Sequence, residues 1–230
     1  MSTAIITGAS RGLGLALARG LATRDWTLVI DARGADALAR TAAELSATTE
    51  VRALPGDVTD EWHRGALVEL AGGSIDLLVN NASALGPSPQ PRLEDYPLPE
   101  LRRVYDVNVL APAALIQLAL PAMSARAAIV NITSDAAVAP YVEWGGYGSS
   151  KAALDQLTAI LGAEHPELRV YAVDPGDMRT EMQQAAFPDE DISDRPPPEL
   201  VVPGLLELIG SARPSGRYLA GDLIAAGSRS

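Results

Sequence analysis

The chain of 230 residues contains no cysteine. That absence excludes a disulfide framework, a thiolate metal site and a cysteine nucleophile. Histidine is nearly as scarce: His63 and His165 make too small a set for an imidazole cage, so no metal is expected. Positive charge is short, with Lys+Arg 18 against Asp+Glu 29 and a net charge of −11. A chain this acidic does not track a phosphate backbone unaided, and nucleic acid is not an expected partner. Lysine occurs once, at Lys151. The longest apolar segment, Val109 to Met123, falls short of the roughly 20 residues that span a bilayer and is interrupted by Pro112, Gln117 and Pro121. It reads as a buried helix, and no membrane is expected. The first residues, Met1 to Ile6, lack the pattern of an export signal, so the expected location is cytoplasmic.

Hydrophobic residues make up 47% of the chain, enough for a sizeable core. Short apolar runs at Ala4 to Thr7, Thr27 to Ile30, Val51 to Leu54, Asp76 to Val79, Ala127 to Ile132, Arg169 to Val173 and Arg217 to Leu219 read as strands. Between them lie stretches of helical period: one carrying Leu13, Leu17 and Leu21, then others near Asp36 to Leu45, Asp60 to Leu70, Leu98 to Met123, Tyr147 to Ala163 and Glu199 to Ile209. Near-continuous apolar strands separated by helices imply an α/β fold, a doubly wound parallel sheet with helices on both faces. No composition shift marks a boundary, so residues 1–230 read as one domain. The acidic segment Asp177 to Pro198 is longer than most connections and is a candidate substrate lid. His63 is expected on an exposed helix face, and His165 before Pro166 at a helix end.

Thr7-Gly8-Ala9-Ser10-Arg11-Gly12-Leu13-Gly14 joins the first strand to the first helix. Glycines there let the backbone turn tightly and bring a pyrophosphate to the helix N-terminus. Tyr147 and Lys151 are four apart and project from one helix face. Ser134 follows the fifth strand by two residues. The spacing T-G-x-x-x-G-x-G resembles the cofactor turn of the short-chain dehydrogenase/reductases, in their compact branch, and the similarity extends over nearly the whole chain. Asp57-Val58 resembles the pair that contacts adenine. Asn80-Asn81-Ala82-Ser83 resembles N-N-A-G, with Ser in place of Gly. Asp174-Pro175-Gly176-Asp177-Met178-Arg179-Thr180 is similar to the segment beside the nicotinamide, with Thr180 at the carboxamide position.

By this resemblance the cofactor-binding residues are Gly8, Ser10, Arg11, Gly12, Leu13, Gly14, Arg33, Asp57, Val58, Asn81, Ala82, Tyr147, Lys151, Pro175, Gly176, Met178 and Thr180. The resemblance also implies a catalytic set of Asn108, Ser134, Tyr147 and Lys151. Tyr147 would exchange a proton with the substrate oxygen, Ser134 would hydrogen-bond that oxygen, Lys151 would favour the phenolate, and Asn108 would hold a water leading to Lys151. Ala32 stands where NAD-preferring members place Asp, and Arg33 where NADP-preferring members place a cation. NADP(H) is therefore the expected cofactor and NAD(H) the alternative, with Asp31 as ribose acceptor if the register shifts by one. Asp135 and Trp144 are candidates for contact with a small carbonyl or alcohol substrate. The readings are an NADP(H)-dependent carbonyl reductase or alcohol dehydrogenase, an NAD-dependent alcohol dehydrogenase, or a dinucleotide-sensing scaffold without turnover. The resemblance further implies a homo-dimer or homo-tetramer, paired through the helical stretches at 98–123 and 147–163.

Overall fold

A computed structural model of the protein describes residues 2–227. Seven parallel strands form its sheet: β1 (Ser2–Ile6), β2 (Trp26–Ala32), β3 (Val51–Pro55), β4 (Ile75–Asn80), β5 (Met123–Ile132), β6 (Arg169–Asp174) and β7 (Gly216–Leu219). Their spatial order is β3-β2-β1-β4-β5-β6-β7, so the winding reverses between β1 and β4. At such a reversal the connections leave in opposite directions and a crevice opens beyond the strand ends.

Because successive strand residues face opposite ways, each strand feeds two cores. Ala4, Ile6, Leu28, Ile30, Leu77 and Val79 face one side, against Leu13, Leu17 and Leu21 of α1 (Gly12–Ala22) and Leu205 of α8 (Val202–Gly210). Ile5, Val29, Leu78 and Ile129 face the other, against Leu67 of α3 (Glu61–Ala71) and Leu115 of α5 (Ala111–Ala119). The remaining helices are α2 (Ala35–Leu45), α4 (Leu98–Tyr105), α6 (Gly145–Glu164), α7 (Glu181–Ala186) and α9 (Ala220–Gly227).

Two expectations need correction. The helix expected over Leu98 to Met123 is broken into α4 and α5 by a π-helical turn at Asp106–Leu110, and Met123 already belongs to β5. The apolar period is unchanged across such a turn to within one residue, so pattern reading cannot see it. By length and apolar character alone, Leu98–Ala122 would suffice to cross a membrane; here Leu115, Ile116 and Ala119 are buried against the sheet. Finally, His63 is not exposed: its side chain is 8% accessible and meets Asp31. His165 does follow the last residue of α6.

Candidate active site

A cleft of about 1660 Å³ lies at the carboxyl ends of the strands, over the reversal between β1 and β4. Every site residue expected from the sequence lines it except Gly14 and Asn108. Those two act from behind. A Cβ on Gly14 would lie 2.4 Å from the Gly8 carbonyl oxygen, so glycine is what lets α1 start this close to the turn. Gly8 itself has φ +68°, a conformation that side chains disfavour. Among the described residues no side chain caps the first turn of α1, and its N-terminus opens on the cleft beside Gly12 and Leu13. Unpaired N–H groups at a helix start suit an anion, so the turn fits the pyrophosphate of a dinucleotide.

The turn is braced from β4. Asn81 Nδ2 donates to the carbonyls of Thr7 (2.8 Å) and Gly8 (3.1 Å), while Thr7 Oγ1 accepts from the N–H groups of Asn81 and Ala82. Ser83, where glycine was expected, donates to Asn108 Oδ1 at 3.1 Å. Past the end of β2, Arg33 lines the cleft with Arg40 and Arg103, neither of which the sequence reading singled out. Burial pushes the Asp57 carboxyl up, but the Thr59 N–H and hydroxyl together with Arg33 and Arg103 outweigh it and hold the group below its ordinary range. Arg11 pairs with Glu181 across the mouth of the cleft, both largely exposed. Asp31 is 1% accessible and already has two partners, Gly8 N–H at 2.8 Å and His63 at 2.9 Å. It is therefore poorly placed to be a ribose acceptor, and Arg33 remains the residue at the strand end.

At the opposite end, α6 carries Tyr147 and Lys151 into the cleft, both buried. The helix is tied to the sheet by a buried relay: Asn80 Nδ2 donates to Asn131 Oδ1, and Asn131 Nδ2 to Thr158 Oγ1, each at 2.8 Å. Lys151 Nζ donates to the Ile132 carbonyl at 2.8 Å and sits 5.5 Å from the centre of the Tyr147 ring. Burial lowers the Lys151 ammonium to about 8, with Asp155 opposing. Burial also pushes the Tyr147 phenol well above its ordinary range; the hydroxyls of Ser83 and Ser134 pull it down, and Asp174 and Asp135 add to the rise.

Ser134 Oγ accepts from the Ala136 N–H and donates to Asp135 Oδ1 at 2.9 Å. Asn108 is fully buried in the π-helical turn, with all four amide hydrogen-bonding positions taken. Its oxygen accepts from Ala84 N–H and Ser83 Oγ, and its Nδ2 donates to the Ala84 carbonyl and Ser150 Oγ. Its side chain thus anchors the loop after β4 and leaves no free amide position for a water leading to Lys151. Thr180 lines the cleft while its hydroxyl also caps α7, accepting from the Gln183 N–H.

Beyond Tyr147 the wall is aromatic. The Trp144 ring lies 5.8 Å from Tyr147, 6.2 Å from Tyr141 and 5.7 Å from Phe187, and Tyr141 donates to Asp135 Oδ2 at 2.7 Å. Phe187 was not anticipated; as the only phenylalanine, in the long acidic loop, it was the available signal. Arg195 stacks over its ring at 4.9 Å and pairs with Glu190, and Ser88 Oγ donates to the Ala185 carbonyl. The segment after β4 that carries Ser88 thus meets the 177–198 segment beside the cleft. Arg217 was also missed, since it lies on β7, far in sequence from any motif. Its Nη2 donates to the Ser134 carbonyl and to Asp174 Oδ2, and its Nε to Asp155 Oδ2, each at 3.0 Å.

The family model described as short chain dehydrogenase matches residues 2–191. A rhamnolipids biosynthesis 3-oxoacyl-[acyl-carrier-protein] reductase of Pseudomonas aeruginosa is 33% identical, covering 94% of this chain and 82% of its own. The benzil reductase of Saccharomyces cerevisiae is 33% identical over 88% of this chain and 79% of its own. Among solved structures, a short chain dehydrogenase from Shigella flexneri complexed with NADP superposes with TM-score 0.87 at 26% identity, covering 96% of this chain and 97% of that one. One from Escherichia coli complexed with NADPH gives TM-score 0.87 at 26% identity, covering 95% and 96%.

Proposed function

This chain belongs to the short chain dehydrogenase family, and from that premise we propose that it is an NADP(H)-dependent reductase of small carbonyl compounds. The observation that carries the reading is the convergence of Ser134, Tyr147 and Lys151 on one cleft whose far end is lined by Arg33 and Arg40. The NADP- and NADPH-bound relatives of the same fold support the cofactor. Reducing a carbonyl requires a hydride at carbon and a proton at oxygen. When bound, the reduced nicotinamide supplies the hydride.

The protein's own residues supply the rest. The glycine turn and the start of α1 receive the pyrophosphate, and Arg33 with Arg40 receives the 2′-phosphate. Tyr147 gives its phenol proton to the carbonyl oxygen, and a phenol held protonated by burial is in the correct form to do so. The Ser134 hydroxyl turns from Asp135 to that oxygen as charge builds on it. Lys151, fixed on the Ile132 carbonyl, steadies the phenolate that remains. Asp135 and Trp144 flank the substrate end, and the 177–198 segment with Phe187 covers it as a lid. Aromatic walls and acidic neighbours favour neutral aromatic ketones over anionic substrates, which makes benzil, the compound named for the yeast relative, a suitable first probe.

The test is fluorescence titration with NADPH and NADH, followed by loss of nicotinamide absorbance in the presence of benzil and other ketones. Tighter binding of NADPH and turnover of at least one ketone are expected. Tight cofactor binding with no turnover of any ketone or alcohol would favour the dinucleotide-sensing scaffold.

We also propose that the enzyme is a cytoplasmic homo-oligomer. Leu98 on α4, Leu110, Leu118 on α5, and Leu157 and Ile160 on α6 are large apolar side chains left exposed. Introducing charge with Leu157→Glu and Ile160→Glu together is expected to halve or quarter the sedimenting mass; an unchanged mass would place the contact elsewhere.

A further inference from the structure

The buried pair formed by His63 and Asp31 takes no part in the chemistry above, yet it reaches the cofactor turn. Asp31, next to last in β2, carries a carboxylate that is 1% accessible. One oxygen accepts from the Gly8 N–H at 2.8 Å and the other from His63 Nε2–H at 2.9 Å. The Asp31 carbonyl accepts from the Ala9 N–H at 2.9 Å, so main chain and side chain together grip two consecutive residues of the turn. His63 is itself held, since its N–H donates to Asp60, the N-cap of α3, at 2.9 Å. Gly56, just after β3, makes room for the ring: a Cβ there would lie 2.2 Å from His63 Nδ1. Three adjacent βα units are therefore joined in series, α3 to β2 to the turn after β1.

A buried carboxylate with two donors keeps one geometry, whereas one deprived of a donor turns toward water or another partner. Here any turning of Asp31 moves the hydrogen bond that fixes Gly8, where the backbone has no slack: a Cβ on Gly8 would already be 3.0 Å from Ala82 Cα. We propose that His63 is a positioning residue for the dinucleotide, holding the Asp31 carboxylate against the Gly8 N–H and so presetting the glycine turn for the pyrophosphate. The proposal rests on the cofactor reading above. Because NADPH and NADH share the pyrophosphate, loss of this clamp weakens both cofactors alike, unlike loss of a group that meets only the 2′-phosphate.

The experiment compares His63→Leu, which removes the donor, with His63→Gln, whose amide N–H reaches the same place, after circular dichroism shows both folded. His63→Leu should weaken NADPH and NADH each by about tenfold, the effect of a hydrogen bond to a charged group. His63→Gln should stay within about threefold of wild type. Gly56→Ala, which displaces the ring without removing it, should resemble His63→Leu and covers the case in which the leucine variant does not fold. Adding His63→Leu to Asp31→Ala should cost nothing further, because the histidine acts through the aspartate. Amide exchange at Gly8, measured without cofactor, should accelerate in His63→Leu and not in His63→Gln. Wild-type affinities in His63→Leu, or losses that add in the double variant, overturn the proposal. If wild type binds neither cofactor while Gly8 exchange still responds to His63, the clamp is real but the cofactor reading fails, and the positioning role fails with it.

Discussion

Tyr147 and Lys151 are buried together, and burial drives each toward its neutral form: the phenol keeps its proton and the ammonium releases its proton more readily. Tyr147→Phe preserves the ring that packs on Trp144 and removes only the phenol hydroxyl. Turnover should fall by about 10²- to 10⁴-fold, the usual worth of a general acid, while NADPH affinity stays near wild type; retained turnover would exclude Tyr147 as donor. Lys151 carries a stability cost whose pH dependence follows from its shift. With a folded value of about 8 against 10.5 for the free side chain, the unfolded chain binds more protons between those pH values, so stability rises with pH there. The cost is fully present below about pH 8 and relieved above about 10.5. Lys151→Met should therefore abolish turnover and yet stabilise the fold at pH 7. The gain, about 1 to 3 kcal/mol, is the shift converted to energy less the lost bond to the Ile132 carbonyl. Urea unfolding at pH 7 and pH 10.5 should show the gain shrinking at the higher pH.

Tyr147 and Lys151 could be singled out from sequence because they share a local spacing on one element, and Ser134 because it stands where the family resemblance places a serine, just past the fifth strand. His63 could not. Its partner Asp31 sits on another βα unit, and within its own helix nothing distinguishes a buried histidine from a solvated one.

At the scale of elements, Arg217 shows how the sheet assembles the site. From β7 its guanidinium binds the Ser134 carbonyl at the end of β5, Asp174 at the end of β6 and Asp155 on α6. Asp174 in turn accepts from the Gly176 N–H at 2.9 Å, so the same cation steadies the loop where Pro175 and Met178 line the cleft. The two carboxylates are 16% and 5% accessible and would lose their guanidinium partner without it. Breaking a buried pair costs about 3 to 5 kcal/mol; with the Arg217 side chain 27% accessible, Arg217→Met should cost about 2 to 4 kcal/mol in urea unfolding. It should also lower turnover more than cofactor affinity, because Ser134 is displaced while the glycine turn is untouched. Arg217→Lys, which restores the charge without the fork, should recover stability better than turnover. Equal recovery of both would show that only charge matters there. This clamp was illegible in the sequence because a three-way contact among β5, β6 and β7 exists only once the sheet has formed. The π-helical turn that buries Asn108 was hidden for a different reason, since it changes the backbone without changing the apolar pattern.

At the scale of the whole molecule, the α/β class was legible because parallel strands buried on both faces leave near-continuous apolar runs. The order β3-β2-β1-β4-β5-β6-β7, which places the cleft, follows from how the helices cross over rather than from any residue. Charge shows the same division between global and local. A net charge of −11 repels any dinucleotide and repels the more negative NADPH more strongly. A preference for NADPH must therefore be made locally, where Arg33, Arg40 and Arg103 line the cleft beyond β2. One charge-assisted hydrogen bond contributes about 1.5 to 3 kcal/mol, so Arg33→Ala should weaken NADPH by roughly 10- to 150-fold and leave NADH nearly unchanged. Ala32→Asp should go further and reverse the preference, adding repulsion against the 2′-phosphate and an acceptor for the free 2′-hydroxyl of NADH. Arg11, paired with Glu181, should matter less than Arg33. Fluorescence titrations of wild type and variants with each cofactor, at one ionic strength because exposed charges are screened within about 10 Å at 0.1 M, give these ratios. If Arg33→Ala weakens both cofactors equally, Arg33 steadies the fold at the strand end instead of reading the 2′-phosphate, and the discrimination passes to Arg40 and Arg103.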